Sequence, residues 1–265
     1  MPGLEEVAGG VYRRTVRLPH GPAVVALGAD DPRAVVADPR DLVGVEAGDP
    51  RVVVADRRDR GAAEAAVRRL AGSGAVAAAA DAHLAGDPLL GPLIAARPGL
   101  RVPGTVDGGE LAIRAVLGQQ VSLAAARTLA GRMVAAVGAP LPRPDGTLTH
   151  AWPEPSAIVE FAPSMAMPRS RQRALAAIAG ALADGLVLAP GADPAATRAA
   201  LLELPGIGPW TAEYIAMRAL ADPDAWMPTD IGVRHGLARI GAGPDAAEAW
   251  RPFRSHAVVH LWASS

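Results

Sequence analysis

The segment that most constrains this chain is Pro-Gly-Ile-Gly-Pro at residues 205–209, which lies between two stretches of helical character. The upstream stretch, Pro194–Leu202, follows Asp193, a residue type that caps helix N-termini. Pro209 stands where the first turn of the next helix would begin. Two glycines two positions apart permit a sharp turn, after which the new helix directs unpaired N–H groups and its positive dipole end outward. This arrangement favours phosphate binding, although the same residue types also occur in ordinary helix–helix turns.

A second motif, Pro228-Thr229-Asp230, follows the hairpin after a short spacer. Asp230 stands at the predicted start of a helix, where the helix dipole stabilises a carboxylate. A lone Asp at such a place is most simply a helix cap. In combination with the hairpin and its spacing, the motif points to a functional carboxylate.

Aromatic residues are rare in this chain and cluster near these motifs. The 265 residues include five Trp, two Tyr and two Phe, and six of these nine fall between residues 210 and 265. Such a cluster is typical either of a well-packed core or of a binding pocket, because aromatic side chains dominate both.

Composition excludes several classes of protein. The 26 basic residues, all of them arginine, nearly balance 27 acidic residues, so any DNA-binding face must be local. The absence of cysteine excludes disulfides, thiolate zinc sites and iron–sulfur clusters. The histidines at 235, 256 and 260 lack a supporting carboxylate cluster, and we expect packing or phosphate contact for the last two. Neither a membrane span nor a secretory signal is apparent, so we expect a soluble, cytoplasmic protein.

The distribution of elements predicts two domains, 1–92 and 93–265. The first has β-prone runs followed by a helix, and the runs are Val11–Leu18, Ala23–Leu27, Ala34–Ala37 and Val52–Ala55. The second is predicted to be all helical, with residues 138–155 as a surface loop. Its predicted helices are Gly109–Leu117, Leu123–Val137, Arg171–Leu182, Pro194–Leu202, Pro209–Leu220, Ile231–Ile240, Ala246–Trp250 and Arg254–Leu261.

Several motifs in one order make the chain similar to the helix-hairpin-helix DNA glycosylases, and specifically to the DNA-3-methyladenine glycosylase II family. The matching segments are residues 96–104, residues 114–122, the hairpin, Pro228-Thr229-Asp230 and residues 254–262. The resemblance implies an α+β fold: a small antiparallel, TATA-binding-protein-like sheet domain, then an all-α glycosylase domain with its helix-hairpin-helix at 194–220. The chain joins the family pattern after the strand and helix that usually open the first domain, so we expect a truncated sheet domain.

The resemblance also implies roles for individual residues. Asp230 matches the catalytic aspartate, and Gln120 matches the residue that wedges into the duplex where the base has left. The pocket for the flipped base is implied to involve Trp210, Tyr214, Trp262 and Gln119. Phosphate would be held by backbone N–H groups near Gly206, Gly208 and Thr211. No cofactor is required on this reading, but a structural monovalent cation is expected at the carbonyls of Leu202, Leu204 and Ile207.

The implied activity is base-excision repair by a monomer that acts on double-stranded DNA. It would flip an alkylated purine of the 3-methyladenine or 7-methylguanine type and hydrolyse its glycosidic bond, leaving an abasic site. Because the chain has no lysine, a Schiff-base nucleophile is missing and we expect a glycosylase without lyase activity. Two alternatives stay open: a non-catalytic helix-hairpin-helix DNA-binding protein, and a glycosylase for other damaged or deaminated purines.

Overall fold

A computed structural model describes residues 1–8, 11–28, 52–54, 57–72 and 74–264 of the chain. Four strands form an antiparallel sheet in the order β1-β2-β3-β4, and they are β1 (Glu5–Ala8), β2 (Val11–Leu18), β3 (Gly21–Gly28) and β4 (Val52–Val54). Three of the predicted β-prone runs coincide with β2, β3 and β4, whereas the run Ala34–Ala37 lies outside the described residues. The strand β1 was not predicted.

Helices make up most of the remaining described residues, which confirms the predicted α+β class. They are α1 (Arg60–Ala71), α2 (Gly74–Leu84), α3 (Gly91–Ala96), α4 (Gly108–Gly118), α5 (Leu123–Val137), α6 (Pro155–Phe161), α7 (Arg169–Ala183), α8 (Pro194–Leu202), α9 (Pro209–Ala219), α10 (Ile231–Arg239) and α11 (Arg254–Ser264). The predicted helix Ala246–Trp250 lies within a 3-10 helix, Pro244–Trp250. Each helix that the structure describes is too short or too polar to traverse a bilayer.

The prediction of a surface loop at 138–155 is wrong, because this segment contains a β-hairpin. Its strands are β5 (Pro140–Asp145) and β6 (Leu148–His150), which pair antiparallel. Proline is compatible with a strand at a sheet edge, where a missing N–H costs no ladder bond. Leu141 and Leu148 are buried against Val24 of β3, and the backbone N–H groups of Thr149 and His150 donate to the Gly3 carbonyl. Contact with the N-terminal sheet therefore orders a segment whose local sequence is typical of a loop.

Two hydrophobic cores meet at α9. One core is built mainly from α4, α5, α7 and the Leu4 side chain, and it takes Ala212 and Ile215 from α9. The other contains residues of α2, α3, α10 and α11, and it takes Ala216 and Met217 from α9. The predicted boundary at residue 92 falls within α3, which packs in this second core. Because α9 is buried on two sides, its N-terminal residues are held in a defined position.

A buried charge cluster joins the sheet to α4. The Arg14 guanidinium of β2 lies 2.6–2.7 Å from both carboxylate oxygens of Glu110, and Arg114 donates to both oxygens of Glu5 at 3.0 and 3.1 Å. Burial raises the pKa of Glu5, but Arg114 and Arg14 outweigh that effect and hold the pKa below its ordinary value. Separating the sheet from α4 would leave buried charges without their partners, which is costly. The cluster therefore fixes the sheet against α4.

Two histidines of α11 lie one helical turn apart in the second core. His256 and His260 are only 4% and 2% exposed, so the expected packing role is confirmed and the alternative of phosphate contact is wrong. Burial, helped by the neighbouring His260, lowers the pKa of His256 to about 4. Burial also lowers the pKa of His260, and Asp81 at 3.7 Å partly offsets that change.

We expect acid to destabilise the protein through His256. Above pH 6.5 this histidine is neutral in both states, whereas between pH 6.5 and about 4 only the unfolded chain takes up its proton. The free energy of unfolding should therefore fall across this range by up to about 3 kcal/mol from this residue alone. Urea unfolding of wild type and of His256→Gln at several pH values measures the difference. The exposed His235→Gln serves as control, and parallel stability curves for wild type and His256→Gln would contradict the assignment.

Candidate active site

The hairpin between α8 and α9 has the predicted form. Asp193 caps α8 by accepting from the N–H groups of Ala195 and Ala196 at 2.8 and 3.1 Å. Gly206 has φ +80°, and a Cβ on it would lie 2.7 Å from the Ala174 Cβ of α7, so only glycine permits this turn and this close packing. Gly208 is the N-cap of α9, and the N–H groups of the first turn of α9 follow directly. The arrangement presents backbone donors and a positive helix end at one place.

The Asp230 carboxylate accepts three hydrogen bonds. Its Oδ1 atom accepts from the Trp262 indole Nε1 at 2.7 Å and from the Val233 backbone N–H at 2.9 Å. Its Oδ2 atom accepts from the Trp210 indole Nε1 at 2.9 Å. A carboxylate has about four acceptor positions, so one position on Oδ2 is left for a water molecule or a sugar.

Three helices supply the groups that meet at this carboxylate. Asp230 is the N-cap of α10, Trp210 lies in the first turn of α9, and Trp262 lies near the end of α11. A Cβ on Gly232 would lie 2.7 Å from the Trp262 ring and 3.3 Å from the Asp230 Oδ1 atom. The glycine therefore allows the indole to lie across the N-terminus of α10 and reach the carboxylate.

Trp210 and Tyr214 form a stacked pair beside Asp230. Their ring centroids are 5.3 Å apart and the ring planes differ by 8°. Both side chains are half-buried, and Tyr214 contacts both hydrophobic cores. The structure thus brings together Asp230 and the three aromatic residues that the sequence assigned to one pocket.

Gln119 and Gln120 lie on the turn between α4 and α5. The Gln119 side-chain amide donates to the Gly206 carbonyl at 3.0 Å and to the Thr211 hydroxyl at 3.3 Å, so this residue ties the turn to the hairpin. Gln120 is exposed and has φ +57°, a left-handed conformation that residues other than glycine seldom adopt. Such strain is found where the surroundings impose it, frequently at functional sites. The implied wedge residue is thereby directed away from the core.

The carbonyls expected to hold a cation belong to residues 202–207, at the end of α8 and in the turn after it. The Leu204 carbonyl accepts from the Ile207 N–H at 3.1 Å and keeps a second lone pair. The described residues contain no group of three or more His, Asp and Glu side chains placed to bind a metal. Cation binding at Leu202, Leu204 and Ile207 stays a prediction.

The sequence reasoning missed Arg218. Its guanidinium donates to the Tyr214 hydroxyl at 2.8 Å and to the carbonyls of Pro103 and Gly104 at 2.8 and 3.1 Å. Trp210, Tyr214 and Arg218 are spaced four residues apart on α9, so they share one helix face. That spacing was visible in the sequence and is the signal that could have identified Arg218.

Comparison with known proteins shows what the chain is similar to. Residues 1–107 match the family model described as the AlkA N-terminal domain. A Mycobacterium tuberculosis protein named "Probable bifunctional transcriptional activator/DNA repair enzyme AlkA" is 42% identical over 276 residues, covering 100% of this chain and 52% of that protein. The Escherichia coli DNA-3-methyladenine glycosylase 2 is 37% identical over 181 residues, covering 65% of this chain and 63% of that protein. Residues 1–107 thus match the AlkA N-terminal domain, and the chain is similar to proteins named as DNA-3-methyladenine glycosylases.

A solved structure shares the fold of this chain. The 3-methyladenine DNA-glycosylase from Archaeoglobus fulgidus superposes with a TM-score of 0.73 at 20% identity, over 97% of this chain and 88% of that one. The chain spans about half the length of the Mycobacterium protein and somewhat more of the E. coli glycosylase. The comparisons confirm the resemblance that the hairpin and the Pro-x-Asp motif indicated.

We expect Asp230→Asn to lower base excision by several orders of magnitude while the fold and duplex binding are retained. Asparagine is a good helix cap, but its NH2 group cannot accept from the Trp210 indole and carries no charge. Single-turnover excision, together with thermal unfolding, measures both effects.

Asp193→Asn is the matched control for this prediction. It makes the same chemical change at another helix cap, where the donors are two backbone N–H groups and no indole. Its excision rate should equal that of wild type. Near-wild-type excision by Asp230→Asn would show that the reaction does not require the carboxylate.

Proposed function

We propose that this chain is a DNA glycosylase that extrudes an N-alkylated purine from double-stranded DNA and hydrolyses its glycosidic bond, leaving an abasic site. The observation that carries the proposal is the Asp230 carboxylate, held by two indole N–H groups beside a helix-hairpin-helix. The names of the Mycobacterium and E. coli relatives support the same activity.

The carboxylate can stabilise the positive charge that develops in this reaction. Cleavage of a glycosidic bond builds positive charge on the sugar, as in other reactions with oxocarbenium-like transition states. A fixed carboxylate stabilises that charge without reorganising, and its unoccupied position on Oδ2 can orient or deprotonate the attacking water. The hydrogen bonds from Trp210, Trp262 and Val233 supply the fixed orientation.

The aromatic residues suit a cationic base. An N-alkylated purine carries positive charge, which already makes it a good leaving group, and the face of an indole attracts a cation. Tyr214 covers one face of Trp210, so a flipped base would use the other face or that of Trp262. Normal purines are neutral and gain no such attraction.

The hairpin has the backbone donors to bind a phosphate of the DNA. We place a phosphate at the N–H groups near Gly206, Gly208 and Thr211, where the positive end of α9 favours an anion. The link from Gln119 to this hairpin would hold Gln120 in place to fill the gap that the extruded base leaves. A duplex therefore meets the hairpin and the wedge residue together.

Product analysis tests the proposed function. Duplex DNA treated with a methylating agent is incubated with the protein, and free bases are separated by chromatography. Release of 3-methyladenine and 7-methylguanine by wild type but not by Asp230→Asn supports the proposal. Binding without release indicates a DNA-binding module, and release only of hypoxanthine from a deaminated duplex indicates a glycosylase for other purines.

Two variants of Trp210 separate its hydrogen bond from its attraction for a cationic base. Trp210→Phe loses the N–H donated to Asp230 but keeps an aromatic face, whereas Trp210→Ala loses both. We expect Trp210→Ala to excise a cationic alkylpurine about 2- to 30-fold more slowly than Trp210→Phe does, which corresponds to ~0.5–2 kcal/mol. For neutral hypoxanthine the two variants should differ little. An equal Phe-to-Ala loss for both bases would show that the indole face only packs.

We further propose that the protein has no lyase activity. A strand-cleaving glycosylase of this superfamily attacks the sugar with a lysine amine, but none of the 265 residues is lysine and Trp210 directly follows the hairpin. Arginine is no substitute, because it stays protonated at neutral pH. Borohydride added during turnover should trap no protein–DNA adduct and the abasic strand should stay intact. A stoichiometric adduct with a cleaved strand would refute this mechanism.

A further inference from the structure

We propose that Arg218 is a positioning residue for the reaction, acting on Asp230 through Tyr214 and Trp210. The inference rests on the proposed function and adds a residue to it. Arg218 belongs to α9, two helical turns beyond Trp210, and the two aromatic rings connect its side chain to the carboxylate.

The first step is the bond from Arg218 to Tyr214. A guanidinium has only donors, so the 2.8 Å contact makes the Tyr214 hydroxyl oxygen an acceptor. The guanidinium carbon also lies 5.6 Å from the centre of the Tyr214 ring. A bond at the hydroxyl and a cation over the ring together oppose rotation of the tyrosine side chain.

The second step is the fixed mounting of Arg218. Its Nε and Nη2 atoms donate to the carbonyls of Pro103 and Gly104, in the segment that leads into α4. Three hydrogen bonds in the rigid fork of a guanidinium define its position closely. Lysine has a single flexible nitrogen and cannot reproduce the fork.

The third step runs from Tyr214 to the carboxylate. Tyr214 lies parallel to Trp210, so a displaced tyrosine ring would leave the indole free to tilt. A tilted indole would lengthen the 2.9 Å bond to the Asp230 Oδ2 atom, which is the oxygen left with an open acceptor position. Small displacements of groups that touch the reacting atoms reduce rates strongly. Arg218 thus holds the orientation of the catalytic oxygen without contacting it.

A double-mutant cycle on Arg218 and Tyr214 tests the proposal. If the arginine acts through the tyrosine hydroxyl, Arg218→Met should slow single-turnover excision about tenfold in wild type and less than about threefold in a Tyr214→Phe background. KM for DNA should change little in either case. Arg218→Lys should not restore the rate. The proposal would be overturned if the rate losses of the two single variants multiply in the double variant, or if only KM changes.

Arg198→Met is the matched control for loosening of α9. Arg198 also anchors this helix, through a two-bond contact with Glu213 at 2.7 and 2.8 Å, but it does not contact the aromatic pair. The control should lower thermal stability and leave the single-turnover rate within about twofold of wild type. A rate loss equal to that of Arg218→Met would show that general loosening of α9 explains the effect.

A second measurement does not depend on activity. In protein labelled with 15N-tryptophan, the Trp210 indole signal is assigned by its loss in Trp210→Phe. Arg218→Met should shift this signal and speed its hydrogen exchange, whereas Arg198→Met should not. If wild type excises no base, the proposed function fails while this signal still tests the Arg218 contact. An unchanged Trp210 signal in Arg218→Met would overturn the positioning role even in an active enzyme.

Discussion

The Asp230 carboxylate is the interaction on which the candidate site depends, because it is where α9, α10 and α11 meet. Each helix contributes a polar group that would be costly to bury without a partner: an indole N–H from Trp210, one from Trp262, and the backbone N–H of Val233 in the first turn of α10. The carboxylate satisfies all three donors, and the donors in turn fix both of its oxygens. The same bonds therefore stabilise the fold and orient the carboxylate, and the aspartate proposed for the reaction is also a helix cap.

Other parts of the fold hold these three helices in position. The first core supports α9 from the side of α4 and α7, and the second supports it from the side of α10 and α11. The ion cluster of Arg14, Glu110 and Arg114 fixes the N-terminal sheet on α4. Because α4 leads to Gln119, which binds the hairpin, the sheet domain indirectly supports the site.

The sequence was sufficient to predict those elements whose structure is decided by their own local residues. Two predicted helices, Pro194–Leu202 and Leu123–Val137, follow capping residues and show helical spacing, and their bounds agree with the structure. The hairpin at 138–155 could not be predicted, because its order comes from distant contacts with Gly3 and Val24. For the site, motifs identified Asp230 and its aromatic neighbours. The spacing on α9 could have placed Arg218 on the same helix face as Trp210 and Tyr214, but the hydrogen bonds of the indoles and of Arg218 depend on side-chain directions that spacing alone does not reveal.

The position of α9 between two cores has a consequence for how the domain opens. Protection against hydrogen exchange is greatest in elements whose exposure requires the whole domain to open, and an element buried on two sides is of this kind. The carboxylate's indole partner and the stacked tyrosine both belong to α9. Amide protons in the later turns of α9, which carry its core residues, should therefore be among the slowest to exchange. In the proposed reaction, flexibility for base extrusion then has to come from the DNA and from the exposed turn at Gln120, since α9 is held between two cores.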